Sequence, residues 1–294
     1  MAKKKPRTQF RIAGCISAYR RTQVFEHVYP DFLMPLNINY TAIERAVMEC
    51  AAAGVDSIWI TVRREHLTLL QKVLGDFIYD PLFFFNMNNM KFPSDKQKRI
   101  PIFYCPMRVK DYGVKDSEAY GIINSAMCAR KLGTKLSSQL EPSMYYVAFH
   151  DAIYHPFVAM TNRPLINTHK NFYFNYNGKT FKDGEPLGFT INHEQLKACD
   201  AFVRNTGTRK YKTISEFKIG GTWQELLPKE ERWSATKFTV DKVFEPVILE
   251  GNTYGLKWFY NMNTWDGYRA YLASHCTLRR PNKEIRPNNI LERV

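Results

Sequence analysis

The run Tyr145-Tyr146-Val147-Ala148-Phe149 stops at His150-Asp151, and that ending is where chemistry is easiest to write. An unbroken apolar run of strand formers reads as a strand buried on both faces, of the kind found in parallel sheets. The residue after such a strand lies at its carboxyl end, where open α/β sheets bind their ligands. A carboxylate there, Asp151, is placed to hold a hard divalent cation between protein and phosphate oxygens. The competing assignment is a turn cap, a common duty of Asp. His150 has the same two faces. It could serve as an acid–base group, but a His in this setting is more often a structural hydrogen-bonding partner.

The elements that must position these residues follow from composition and pattern. The chain has 294 residues, 45% hydrophobic and 24% charged. That suffices for one large α/β domain, or one domain with a small insertion. Its formal charge of +14 is a field that attracts polyanions: nucleotides, sugar nucleotides or nucleic acid. Part of the excess sits in Lys3, Lys4, Lys5 and Arg7 and in Arg279, Arg280, Lys283, Arg286 and Arg293, which also read as solvated ends. No run approaches the roughly 18 apolar residues of a membrane span, and the first residues lack a signal peptide's apolar core. The expectation is a soluble, cytoplasmic protein without a membrane partner. The six cysteines are scattered with no C-x-x-C pair, and read as small apolar residues in a reducing compartment.

Along the chain, residues 1–9 read as a basic disordered arm and Phe10–Ile16 as a first strand. A polar, charge-dense loop with Arg20 and Arg21 follows. The pattern then predicts a helix from Tyr40 to Ala53, with Thr41 and Glu44 as a capping box and Gly54 as C-cap. Val55–Val62 reads as a strand, Arg64–Leu74 as a helix, and Pro101–Pro106 as a third strand. Glu118–Leu132 reads as a helix between Ser117 and Gly133 as caps. This alternation has the lengths of βαβ units. After Pro156 the pattern predicts a hairpin at Asn177-Gly178, a strand over Gly188–Ile191 and a helix over His193–Phe202. It further predicts a helix near Thr213–Phe217, a strand over Tyr254–Tyr260, a helix over Thr264–Ser274 and a basic tail from Thr277.

The order of these pieces resembles the nucleotide-sugar pyrophosphorylases, a family of sugar nucleotidyltransferases. Ile12-Ala13-Gly14 looks like the first strand feeding the nucleotide loop, and Arg20-Arg21 like that loop's basic element. Leu33-Met34-Pro35-Leu36 resembles the family's Lys-Pro turn, with Met34 standing where the phosphate-binding Lys would be. Leu74-Gly75-Asp76 and Ala119-Tyr120-Gly121 resemble two further family segments. Phe149-His150-Asp151 resembles the Gly-Asp strand end whose Asp holds Mg²⁺. Trp258-Phe259-Tyr260-Asn261-Met262-Asn263-Thr264 resembles the late turn that supplies the second metal ligand, with Asn261 or Asn263 standing where many members have Asp.

The resemblance implies a Rossmann-like mixed, mostly parallel sheet flanked by helices, with a smaller α+β C-terminal part. Its implied divisions are a nucleotide-binding core over 10–160, a sugar or acceptor side over 161–276 that returns to the core sheet, and a basic tail over 277–294. It implies a Mg²⁺-dependent enzyme joining a nucleoside triphosphate to a sugar phosphate. In that reading Asp151 and Asn263, with Asn261 as substitute, hold Mg²⁺, and Arg20 and Arg21 clamp the triphosphate. Gly14 and Gly121 give the nucleotide room, and Asp266 is another late acidic candidate. The runner-up is a glycosyltransferase of the related fold, to which the charge would suit a DNA acceptor. The third is a non-catalytic nucleotide-sugar-binding protein.

Overall fold

The computed structural model describes residues 10–19, 30–82, 98–107, 117–136, 140–206, 211–214, 223–226 and 238–281. Arg20 and Arg21, the basic arm and most of the basic tail lie outside them.

β1 (Ile12–Ala18) is the pivot of the main sheet. On one side it pairs in parallel with β4 (Ser57–Val62), which pairs in parallel with β6 (Arg99–Pro106). On the other it pairs in parallel with β7 (Met144–Ala148). Beyond β7 lie β10 (Phe189–Asn192), β9 (Asn171–Asn175) and β13 (Gly251–Gly255); β5 (Phe77–Tyr79) closes the far edge. Among the described residues the order is β13-β9-β10-β7-β1-β4-β6-β5. The β7–β10, β10–β9 and β6–β5 pairs are antiparallel, and the sheet is mixed and mostly parallel, as the sequence implies. Three strands from the second half extend the same sheet, so the two halves share one core.

Every residue of β7 is buried, because helices cover both faces. α1 (Ala42–Ala53) starts at the predicted capping box and ends at Gly54, in the left-handed conformation at φ +83°. α2 (Leu67–Leu74) follows one 3₁₀ turn over Arg64–His66, and α3 spans Glu118–Leu136. Gly14 lies against Cys50 of α1, and its neighbour Cys15 against Ser125 of α3. Successive strand residues point to opposite faces, so α1 and α3 flank the sheet from opposite sides.

Several boundaries move. β1 begins and ends two residues later than expected. α3 runs past Gly133 instead of stopping there; a Cβ at Gly133 would stand 2.7 Å from the Glu141 backbone, so the glycine serves close packing. Residues 211–214 form β11 (Tyr211–Ile214), antiparallel to β12 (Trp223–Leu226), where a helix was expected. Tyr211, Thr213 and Ile214 are strand formers, and they outweigh the helical reading. The predicted strand over 254–260 divides into β13 and β14 (Tyr260–Asn261). The Asn177-Gly178 turn is present, both residues at positive φ, but the chain leaves it for a 3₁₀ turn over Phe181–Asp183. α4 (His193–Thr206) and α5 (Trp265–Leu272) close the set of longer helices.

The strip β2 (Pro35–Asn37) and β3 (Tyr40–Thr41) packs with α5 in a second apolar cluster. Met34 is buried in that cluster beside Leu36, Tyr40, Tyr268 and Tyr271.

Candidate metal and nucleotide site

β1 and β7 end side by side, with Ile16 opposite Ala148. From β1 the chain crosses to β4 on one side and later returns through β7 on the other. The crevice beyond these two ends is therefore the sheet's topological switch point. Ser17, His150, Asp151 and Glu118 all border it, and all are buried.

α3 brings Glu118 there. Thr61 Oγ1 at the end of β4 donates to the Gly121 carbonyl at 2.6 Å, and Asn124 Nδ2 donates to Thr61 Oγ1 at 3.2 Å. These bonds fix the helix's first turn at the sheet edge. His150 Nδ1 lies 2.9 Å from the Ser17 carbonyl and 3.3 Å from Glu118 Oε1. Both neighbours are acceptors, and in the neutral ring a proton on Nδ1 leaves the lone pair on Nε2. This is how metal-binding imidazoles are usually oriented. One donor atom each from Glu118, His150 and Asp151 lies within 4.8 Å of the others. Such a mixed nitrogen and oxygen set can hold a divalent cation. Glu118 was missed in the sequence, where its only signal was a first-turn carboxylate complementing the helix dipole.

The late turn arrives beside Asp151. β8 (Ala152–Ile153) pairs antiparallel with β14, Asn261 opposite Ala152. Asn261 Oδ1 accepts the Asn263 main-chain N–H at 2.8 Å, and its Nδ2 donates to Glu185 Oε2 at 2.9 Å. Both ends of the Asn261 amide are thus engaged in shaping the turn. Asn263 Oδ1 is buried and has no hydrogen-bond partner among the described residues, so it is the amide oxygen left for a ligand. Asp266 is exposed in the first turn of α5, whose N-cap Thr264 accepts from Gly267. It complements the helix dipole instead of joining the site.

The two glycines stand at close contacts within the fold. A Cβ on Gly14 would stand 2.9 Å from Cys50 Sγ, and one on Gly121 2.0 Å from Ser17 Oγ. Gly14 makes room for α1 and Gly121 for the end of β1. A described cation beside the crevice is Arg63, at the end of β4, over the Tyr19 ring at 5.6 Å and bonded to Glu65. Tyr145, Tyr146 and Phe149 are core, as expected. Trp258 is half-buried and, with Tyr154, Tyr254 and Lys257, helps line a cavity of about 360 Å³ next to the Asp151 loop.

Fold and site together define a mixed α/β protein with a cation-type donor cluster at its switch point. No family model matches the chain, and no curated protein does. Solved structures of similar shape include a Bacillus anthracis protein assigned as a glucose-1-phosphate thymidylyltransferase (TM-score 0.48, 12% identity, 93% of this chain and 98% of that one). Another is a nucleoside-diphosphate-sugar pyrophosphorylase from Vibrio cholerae (TM-score 0.46, 13% identity, 90% and 100%). A third is a Mycobacterium tuberculosis protein in complex with manganese (TM-score 0.47, 12% identity, 91% and 100%).

Proposed function

We propose that this chain is a divalent-metal-dependent nucleotidyltransferase that joins a nucleoside triphosphate to a sugar phosphate and releases pyrophosphate. The observation that carries the reading is the meeting of the Glu118, His150 and Asp151 donors with the Asn263 turn at the carboxyl ends of β1 and β7. Two carboxylates, an imidazole and an amide oxygen fit a Mg²⁺ or Mn²⁺ ion. A bound ion would neutralise charge on the α-phosphate and the departing pyrophosphate.

The chain's own work is positioning. Asp151, Glu118 and His150, with Asn263 from the adjoining turn, would hold the ion. Ser17 keeps the His150 proton on Nδ1. Arg20 and Arg21 would clamp the triphosphate, Arg being the better bidentate partner for phosphate. A sugar-phosphate oxygen attacks the α-phosphorus in line. The bond from that phosphorus to the bridging oxygen breaks, and pyrophosphate leaves with the electron pair.

The test is pyrophosphate release with Mg²⁺ or Mn²⁺, each nucleoside triphosphate and a panel of sugar-1-phosphates. Release with one pair is the expected result. No release with any pair, together with transfer of labelled sugar from a nucleotide sugar to DNA, would select the glycosyltransferase instead.

A further inference from the structure

We infer that Arg45 is the positioning residue of the His150–Asp151 loop, acting through two main-chain carbonyls and not through the ion or the substrate. The inference rests on the reading of Asp151 as a metal ligand.

The Arg45 side chain is fully buried on α1. Its Nη1 donates to the Phe149 carbonyl at 2.9 Å and its Nε to the Tyr154 carbonyl at 3.1 Å. Those carbonyls stand at the two ends of the segment that carries His150 and Asp151. The ladder between β7 and β1 ends at Ala148, so it does not hold Phe149. Nη2 is held by Glu49 Oε2, while Glu49 Oε1 accepts from the Tyr146 and Tyr154 hydroxyls. The guanidinium also lies 4.1 Å from the centre of the Tyr154 ring. Burial, the largest influence, disfavours its charge, but Glu49, Tyr154 and Tyr40 together outweigh it, so it stays ionised. Burial likewise keeps both tyrosine hydroxyls protonated as donors.

Stability is a weak reason for such an arrangement. A buried ion pair costs desolvation, and well-packed apolar replacements are often as stable or more so. What an apolar side chain lacks is a rigid planar fork donating in several directions at once. Here the fork ties both ends of one loop to one helix. The metal-site donors then sit on a segment whose end points are fixed, as outer partners fix ligands in metal sites.

Arg45→Lys tests this. The lysine keeps a charge for Glu49 but cannot reach both carbonyls. Tyr146→Phe is the control: it removes a bond to Glu49 without touching the loop. Two measurements are made on the full chain. One is amide hydrogen exchange across residues 149–154 without metal; the other is Mn²⁺ affinity by electron paramagnetic resonance. Arg45→Lys is expected to speed exchange in that segment about tenfold and to weaken Mn²⁺ binding by at least about tenfold. Tyr146→Phe is expected to lower Tm and change neither. Wild-type exchange in Arg45→Lys, or equal effects in both variants, would overturn the inference. If Arg45→Lys does not fold, Arg45→Met/Glu49→Leu takes the same two measurements with the same expectations. Absence of Mn²⁺ binding in the wild type would remove the metal reading, and the exchange result alone would then decide for or against Arg45's hold on the loop.

Discussion

The main-chain N–H of Met262 donates to the carbonyl of Asp151 at 2.8 Å. With the β8–β14 pairing, this bond registers the late turn against the first carboxylate through backbone alone. The approach of the Asn263 turn to the Asp151 backbone therefore does not depend on either side chain. Substitutions at both positions can be read as effects on the ligand set.

Asp151→Asn keeps the shape and the carbonyl that holds Met262. It removes one charge from the donor cluster. Metal catalysis supplies several kcal/mol of transition-state stabilisation, and about 1.4 kcal/mol is tenfold in rate. Turnover with Mg²⁺ should fall at least about 100-fold while the Tm stays within a few degrees. Steady-state kinetics beside a thermal melt checks this, and unchanged activity would remove Asp151 from the site.

The two asparagines should part company. Asn263→Asp adds a carboxylate where an amide oxygen has no hydrogen-bond partner among the described residues, so Mn²⁺ affinity should rise. Asn261→Asp loses the donor to Glu185 and sets two carboxylates against each other at a contact now 2.9 Å long. It should lower Tm instead. Calorimetric titration and melting of both variants separate the roles; the reverse pattern would make Asn261 the ligand.

Much of this was legible in the residues, and the reasons differ by position. The Thr41–Glu44 box and Gly54 are local chemistry, so α1 was fixed by its own sequence. Asp151 was legible because an apolar run with no alternation announces both a buried strand and its end. Glu118 was not, because it enters the site only through the crossing of α3 over β4, set by Thr61 and Asn124. The close packing at Gly14 and Gly121 was hidden for the same reason: a glycine's neighbours across an interface leave no local trace. Asn261 and Asn263 are equivalent in sequence, and only the hydrogen bonds of the turn tell them apart.

Gly121→Ala puts a methyl 2.0 Å from Ser17 Oγ at a buried interface. Overpacking of this kind costs about 1–3 kcal/mol. The expected result is a lower Tm, recovered in part by Ser17→Gly, which opens the space. A raised nucleotide KM with an unchanged Tm would mean instead that the position faces substrate.

Acid should weaken the fold through three histidines. Partial desolvation lowers His66, His155 and His193 below the ordinary 6.5, though the His155 ring stays largely exposed. A lowered folded value means that the unfolded chain binds the proton more readily. Stability is then complete above pH 6.5 and is lost as pH falls from there through the folded values. The Tm measured from pH 8 to 5 should be flat at first and then decline. His155→Gln should make the decline shallower, and an identical slope would take His155 out of the account.

Glu49 sets the sharpest stability contrast. Glu49→Leu leaves the Arg45 charge in the core without its carboxylate, and strips two tyrosine hydroxyls of their acceptor. Breaking one side of a buried pair costs about 3–5 kcal/mol, whereas replacing both sides by apolar groups is often neutral. Glu49→Leu should therefore unfold at much lower denaturant than wild type, and Arg45→Met/Glu49→Leu should recover most of the loss. A double variant no more stable than Glu49→Leu would mean that the guanidinium's bonds to Phe149 and Tyr154, and not its charge pairing, hold the core together there. The melting midpoint of the double variant thus tells how much of the Arg45 cluster serves stability and how much serves the loop it holds.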